Sequence, residues 1–346
     1  MTSGWRGLGL FWLATLVMLG AGAGILQVLG PPAVHPVPVS PPAPPVAKAA
    51  DAPGPPVLVS QQPQRPPIQR PGRDTPGPVA DPDPALQEPG PDGGMLPRIA
   101  ADGRMPMQVY AAGFDRSSRR PRIGLVLAGI GLDAAVSTDA IRDLPRGVTL
   151  AISPYATSPQ KLLETARFAE HEYLLSLPME PQSYPLNDPG PRALMTGLPL
   201  AENLQRLHWL LSRIAGYVGV TNALSGDLQG ERFAAVAEQM NPVLEDLAGR
   251  GLLYVDARPG QAPLPHVWNR DADLVVDQPA TEIEGKLAEL ERIARNKGSA
   301  LGVAMVPRPV TVQRIATWAN GLEERGFALA PVSALAEPPS DAGGKK

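Results

Sequence analysis

The feature that most constrains this chain is the placement of its prolines: 22 of the 43 fall between Pro31 and Pro97, within 346 residues. Proline brings no backbone N–H donor, and the Ala, Gly and Gln around it offer little apolar surface to offset the entropy of ordering. Residues 31–97 are therefore expected to be a disordered, proline-rich linker. Such a tract favours polyproline II and rises by up to about 3.1 Å per residue where it is continuous. What remains is 98–338, about 240 residues, enough for one large core, followed by a short disordered tail at 339–346.

On the other side of the linker the chain is apolar. No residue from Gly7 to Gly30 is charged. As a helix this run would rise about 36 Å, against a hydrocarbon core of about 30 Å. Arg6 precedes it and no Lys or Arg follows until Lys48, so the positive-inside bias leaves residues 1–6 in the cytoplasm. Ala21-Gly22-Ala23 resembles a signal-peptide cleavage site. The apolar Ile25-Leu26 and Val28-Leu29 continue beyond it, which favours an uncleaved transmembrane anchor at 7–30. The expectation is a single-pass inner-membrane protein whose C-terminal domain lies in the periplasm.

A net charge of −3 and sparse aromatic residues give no basic, base-stacking surface, so nucleic acid is not an expected partner. The absence of cysteine excludes disulfides, thiolate metal sites and cysteine nucleophiles.

Within 98–338, short apolar runs alternate with helical patterns. Runs at 123–127, 148–152, 173–177, 217–220, 252–255, 274–276, 301–306 and 327–330 read as strands buried on both faces. Helices are expected at 134–143, 159–169, 201–214, 232–250, 282–296 and 310–325. The clearest carries Phe233, Val236, Met240, Val243, Leu244 and Leu247 at three- and four-residue steps, with Gly251 placed to cap it. This alternation implies an α/β fold: a (β/α) barrel-like domain of about seven to eight mainly parallel strands, with an open doubly wound sheet as the alternative. Ala128-Gly129-Ile130-Gly131 lacks the third glycine and helix-entry spacing of a dinucleotide loop.

In either architecture ligands meet the carboxyl ends of the strands. The polar residues near expected strand termini are His171, Glu172, Glu180, Asn222, Asp227 and Asp256. Together with Leu177-Pro178-Met179-Glu180-Pro181, Tyr184-Pro185 and Asn187-Asp188-Pro189-Gly190-Pro191, they carry a resemblance. Supporting pieces are Gly216-Tyr217-Val218-Gly219-Val220, Val255-Asp256 and Pro331-Val332-Ser333-Ala334-Leu335. Over nearly the whole folded part the chain resembles the divergent polysaccharide deacetylase family, a branch of the carbohydrate deacetylase β/α-barrel superfamily.

The resemblance implies a metal-assisted hydrolase of acetyl groups on a glycan, and the sequence departs from it where that chemistry resides. Similar chains end the first strand in Asp-Asp-x-Gly, where this one has Ala128-Gly129-Ile130-Gly131. They read Asn-His-Met-Gly-Ser after the fourth strand, against Asn222-Ala223-Leu224-Ser225-Gly226 here. A His-Pro pair after the seventh is replaced by Met305-Val306. A divalent ion must polarise the carbonyl and activate water, and Ala and Gly have no ligand atom for it. Of four histidines, only His171 stands in a matched motif, so neither a metal site nor any other cofactor is expected.

Three readings follow. The first is a catalytically weak or inactive cell-envelope protein that binds a glycan through His171, Glu180, Asn222 and Asp227. It leaves open an unidentified protein partner, with the N-terminal helix as the membrane contact. The second is an active deacetylase with a displaced site using Asp256 and Glu172 as catalytic carboxylates, with Asp133. The third is a metal-independent glycosidase, which would need Glu172 and Asp256 to face each other across a cleft. The structural alternative is that Glu172 and Asp256 are buried carboxylates paired with Arg258 or backbone donors, and that His171 is a satisfied histidine at a strand start.

Overall fold

The computed structural model describes residues 70–74, 78–262 and 264–340. The anchor expected at 7–30, the cytoplasmic residues 1–6 and most of the linker lie outside them. Among the described residues no helix is long and apolar enough to cross a membrane.

The chain enters through an antiparallel hairpin, β1 (Gln87–Pro89) and β2 (Met95–Pro97), and a short helix, α1 (Pro106–Val109). Strands and helices then alternate. They are β3 (Arg122–Ile130), α2 (Ala134–Asp143), β4 (Thr149–Ile152), α3 (Pro159–Phe168), β5 (Tyr173–Ser176), α4 (Leu200–Leu211) and β6 (Gly219–Thr221). After these come α5 (Glu231–Ala234), α6 (Ala237–Gly249), β7 (Leu253–Asp256), β8 (Asn269–Asp271) and β9 (Leu274–Val275). The chain closes with α7 (Ile283–Lys297), β10 (Ser299–Ala304), α8 (Pro309–Asn320) and β11 (Ala328–Leu329). Local chemistry sets several boundaries. Asp133 caps α2 by accepting from Val136 N at 2.9 Å, proline opens α3 and α8, and Gly298 ends α7 at φ +83°, a conformation that favours glycine.

The strand order is β8-β7-β6-β5-β4-β3-β10-β9, with β11 also on β3, and every pairing in this sheet is parallel. The sheet curls until its edges, β8 and β9, are two parts of one continuous segment. Ala272 N donates to Asp256 O (2.8 Å) and Asp273 N to Leu301 O (2.7 Å), so the ladder passes from β7 to β10 through that segment. The expected barrel-like parallel sheet is therefore present. It is buried on both faces, as alternation along a strand dictates. Val126, Ala128, Val255, Leu301 and Val303 point into one cluster with Leu86, Met107, Tyr110 and Val332. Leu125, Leu127, Tyr254 and Ala300 join Ile141, Leu290 and Ile315 on the helical side.

Three sequence expectations need correction. The linker does not run to residue 97, because the chain is packed from Val79 onward. Leu86 and Leu96 are buried, and Asp81 and Glu88 pair with Arg167 (3.0 Å) and Arg250 (2.8 Å). Local composition was proline-rich, but partners distant in sequence supply the free energy of ordering. The helix expected over 232–250 is broken at Val236 (ψ 96°). There α5 is held to the loop after β5 by Phe233 N on Glu180 O (3.1 Å) and by Arg232 on the Glu180 carboxylate (3.2 Å). Finally, β8 was not expected, because Asn269-Arg270-Asp271 carries none of the apolar character of its neighbours.

Candidate functional site

At the carboxyl end of the sheet, where an α/β barrel places its chemistry, β3 exits through Ala128-Gly129-Ile130-Gly131. Ala128 is buried and Gly129 adopts φ +77°. A Cβ at Gly129 would lie 2.9 Å from Pro307 Cδ and 3.3 Å from Ser225 Oγ. The loop after β6 closes over the end of β10, with Gly226 N donating to Met305 O (3.2 Å) and Gln278 Nε2 to Gly226 O (2.8 Å). Ala223, Leu224 and Met305 are all buried there. The centre of this face is thus filled by main chain and apolar side chains.

Two of the rim carboxylates, Asp256 and Glu180, hold loops. Asp256, fully buried at the end of β7, accepts from Asn222 Nδ2 (3.1 Å), Arg258 N (2.9 Å), Arg258 Nε (2.9 Å) and Arg258 Nη2 (2.6 Å). Asn222 in turn accepts from Ala257 N (2.7 Å) and donates to Gln229 O (2.8 Å), so the pair ties the ends of β6 and β7 together. Glu180 accepts from Thr196 N and Thr196 Oγ1, both at 2.6 Å. Asp227 is exposed, with a 3.4 Å contact to Gln278 Nε2.

His171 and Glu172 immediately precede β5 and so belong to the opposite, amino end of the barrel. The His171 ring nitrogens meet Val148 O (2.8 Å) and Ile141 O (3.0 Å), bridging the end of α2 to β4. Burial lowers its pKa, and these carbonyls oppose the shift. Glu172 is buried with each oxygen doubly satisfied. Oε1 accepts from Ser333 N (3.0 Å) and Thr149 Oγ1 (3.2 Å), and Oε2 from Ala112 N (3.1 Å) and Ser333 Oγ (2.6 Å). Burial raises its pKa, and these four donors act against that.

The six residues singled out from sequence therefore fall in two places. Asn222 and Asp256 meet, and Glu180 and Asp227 stand elsewhere on the same face. His171 and Glu172 stand at the other end, tied to the fold as their structural reading requires. The glycosidase reading fails on this placement, since Glu172 and Asp256 are both buried and at opposite ends. The three carboxylates of the displaced site are not brought together either: Asp133 caps α2, and Glu172 lies at the end of the barrel opposite Asp256.

Two carboxylates that sequence reasoning passed over lie on the carboxyl face. Asp277 follows the predicted strand at 274–276, so reading every strand exit in turn would have found it. It accepts from Met305 N (2.8 Å) and Val306 N (2.9 Å), and burial raises its pKa. Asp271 ends the unpredicted β8 beside Asp256. Burial, then the Asp256 charge, pushes its pKa up to about 7. Its Oδ1 and the nearby Tyr254 hydroxyl are buried without hydrogen-bond partners.

Comparison with known proteins decides the family. The family model described as divergent polysaccharide deacetylase matches residues 125–336. The crystal structure of the uncharacterized protein ATU2773 from Agrobacterium tumefaciens C58 is 37% identical, with a TM-score of 0.64 over 70% of this chain and 99% of that one. The chain belongs to the divergent polysaccharide deacetylase family. No curated protein matches it.

A divalent metal is the group this family resemblance implies, and the residues of this family member do not fit one. Ala128, Gly129 and Ala223 offer no donor atom, and Met305 offers a soft thioether unsuited to activating water. Among the described residues no three His, Asp or Glu side chains gather into a metal-binding group. No catalytic step can be derived through a metal at this carboxyl face.

Proposed function

We propose that this protein is a cell-envelope member of the divergent polysaccharide deacetylase family that binds a glycan and has weak or no deacetylase activity. Its anchor at 7–30 would hold it in the inner membrane with the folded domain in the periplasm. The observation that carries the reading is the filled carboxyl face. A Cβ at Gly129 would already lie 2.9 Å from Pro307 Cδ, and the rim carboxylates Glu180, Asp256 and Asp277 accept hydrogen bonds from neighbouring loops. Metal-assisted acyl transfer needs a metal with an open coordination position, and among the described residues no group of side chains gathers the donors to hold one. The glycan is supported by the family's substrate class.

The test is metal analysis of the purified full-length protein together with acetate release from N- and O-acetylated glycan oligomers. The expected result is no stoichiometric divalent metal and no turnover above buffer, with retention on an immobilised envelope glycan. Metal-dependent acetate release that chelator abolishes would overturn the proposal. Protease accessibility in spheroplasts checks the location, since the folded domain should be reached from the periplasmic side.

A further inference from the structure

At the amino end of the barrel, a cleft of about 650 Å³ opens beside the first residues of β3 and β10, lined by Arg70, Arg116, Arg122, Trp268 and Glu337 among others. Small-ligand sites commonly measure about 300–1,000 Å³. Three guanidinium groups line it against one lining carboxylate, Glu337. Arg116 pairs with Asp74 at 2.9 Å, but that carboxylate is 80% exposed. Among the described residues no carboxylate pairs with Arg122. It donates to Arg116 O (3.1 Å) and lies 5.4 Å from the Phe114 ring centroid. Burial lowers the Arg116 pKa, and the Arg122 and Arg70 charges lower it further against the pull of Asp74 and Glu172. Like charges gathered on a partly desolvated wall repel, and a bound anion relieves that cost.

We propose that this cleft binds the carboxylate or phosphate group of an acidic saccharide. Arg116 and Arg122 take the anion, and Trp268 takes a face of the sugar. Guanidinium groups match carboxylate and phosphate oxygens in a bidentate fork, and an indole combines a flat apolar face with one donor. Glu337 supplies an acceptor for sugar hydroxyls. A concave site of this size suits a saccharide better than a flat lipid surface. The chain's own N-terminal segment is a poor occupant. The residues before Arg70 contain one carboxylate, Asp51, against Arg6, Lys48 and Arg65. The saccharide part rests on the glycan reading above; the anion part rests on the arginines alone.

The experiment is calorimetric titration of the full-length protein with galacturonate oligomers, glucose 6-phosphate, inorganic phosphate and a neutral glucose oligomer. At least one acidic saccharide should bind about tenfold more tightly than the neutral one and than inorganic phosphate, and added salt should weaken it. Arg122→Gln should weaken that binding about tenfold. Arg70→Gln, at an exposed position where folding is not at risk, and Trp268→Ala should each weaken it several-fold. Equal affinity for acidic and neutral saccharides, or binding untouched by both arginine changes, would overturn the cleft while leaving the glycan reading intact. Inorganic phosphate binding as tightly as glucose 6-phosphate would overturn the saccharide contact. No saccharide binding at all would sink both.

Discussion

The two ends of the barrel differ in what surrounds their polar residues. The carboxyl end, normally the catalytic face, is covered by Ala223, Leu224, Met305 and Pro307, and Glu180, Asp256 and Asp277 there fasten loops to strands. The amino end, normally the stabilising face, holds a fully satisfied buried carboxylate at Glu172 and, beside it, an open cleft rich in arginine. The difference teaches that a buried titratable residue in a family motif need not be a reagent. Glu172 and Asp256 look alike in sequence, and each is explained by the main-chain and side-chain donors around it.

The sharpest way to break that comparison is at Glu172. Each of its oxygens faces a backbone N–H, Ser333 N on one side and Ala112 N on the other. A glutamine amide would therefore turn its NH₂ toward a donor in either orientation. Glu172→Gln should cost about 3 kcal/mol, read by urea denaturation. A loss under about 1 kcal/mol would mean that the amino end is not organised around this carboxylate.

The next effect belongs to the closed face. At Gly129 any side chain must accept a positive φ and displace Pro307, so Gly129→Ala should lower stability by about 2 kcal/mol. Gly129→Asp should lose as much and still bind no zinc. Zinc-dependent deacetylation appearing in that variant would show the face to be open after all.

The smallest effect concerns Asp271, whose carboxyl is raised to about 7 from an ordinary 3.8. Between those values the folded state holds a proton that the unfolded state has released. Stability therefore falls as pH rises through this window and is flat above it. Asp271→Asn removes the penalty. It should gain about 1 kcal/mol at pH 8, shrinking toward zero near pH 4. Thermal melts at both pH values read the difference, and an equal gain at both would argue against titration as its cause.

Much of the fold was legible because its strands are apolar on both faces. Each of the eight predicted runs contains or overlaps an observed strand, and the helix at Ala134–Asp143 was bounded as expected. The polar β8 was missed, since its place depends on hydrogen bonds to β7 and on closing the sheet. The hairpin at 87–97 was missed because its ordering draws on residues far along the chain, such as Arg250, which meets Glu88 and Pro97 O. For the candidate site, sequence brought the right residues into view without saying which end of the barrel each would occupy.

What the sequence alone determined is the loss of the expected donors. Ala128, Gly129 and Ala223 lack ligand atoms in any fold, and no tertiary contact can restore them. What only the tertiary structure decided is what the remaining polar residues do. A carboxylate becomes a clamp or a reagent according to the donors that surround it. In this protein those donors come from Arg258, Thr196, Ala112 and Ser333, brought to Asp256, Glu180 and Glu172 by folding.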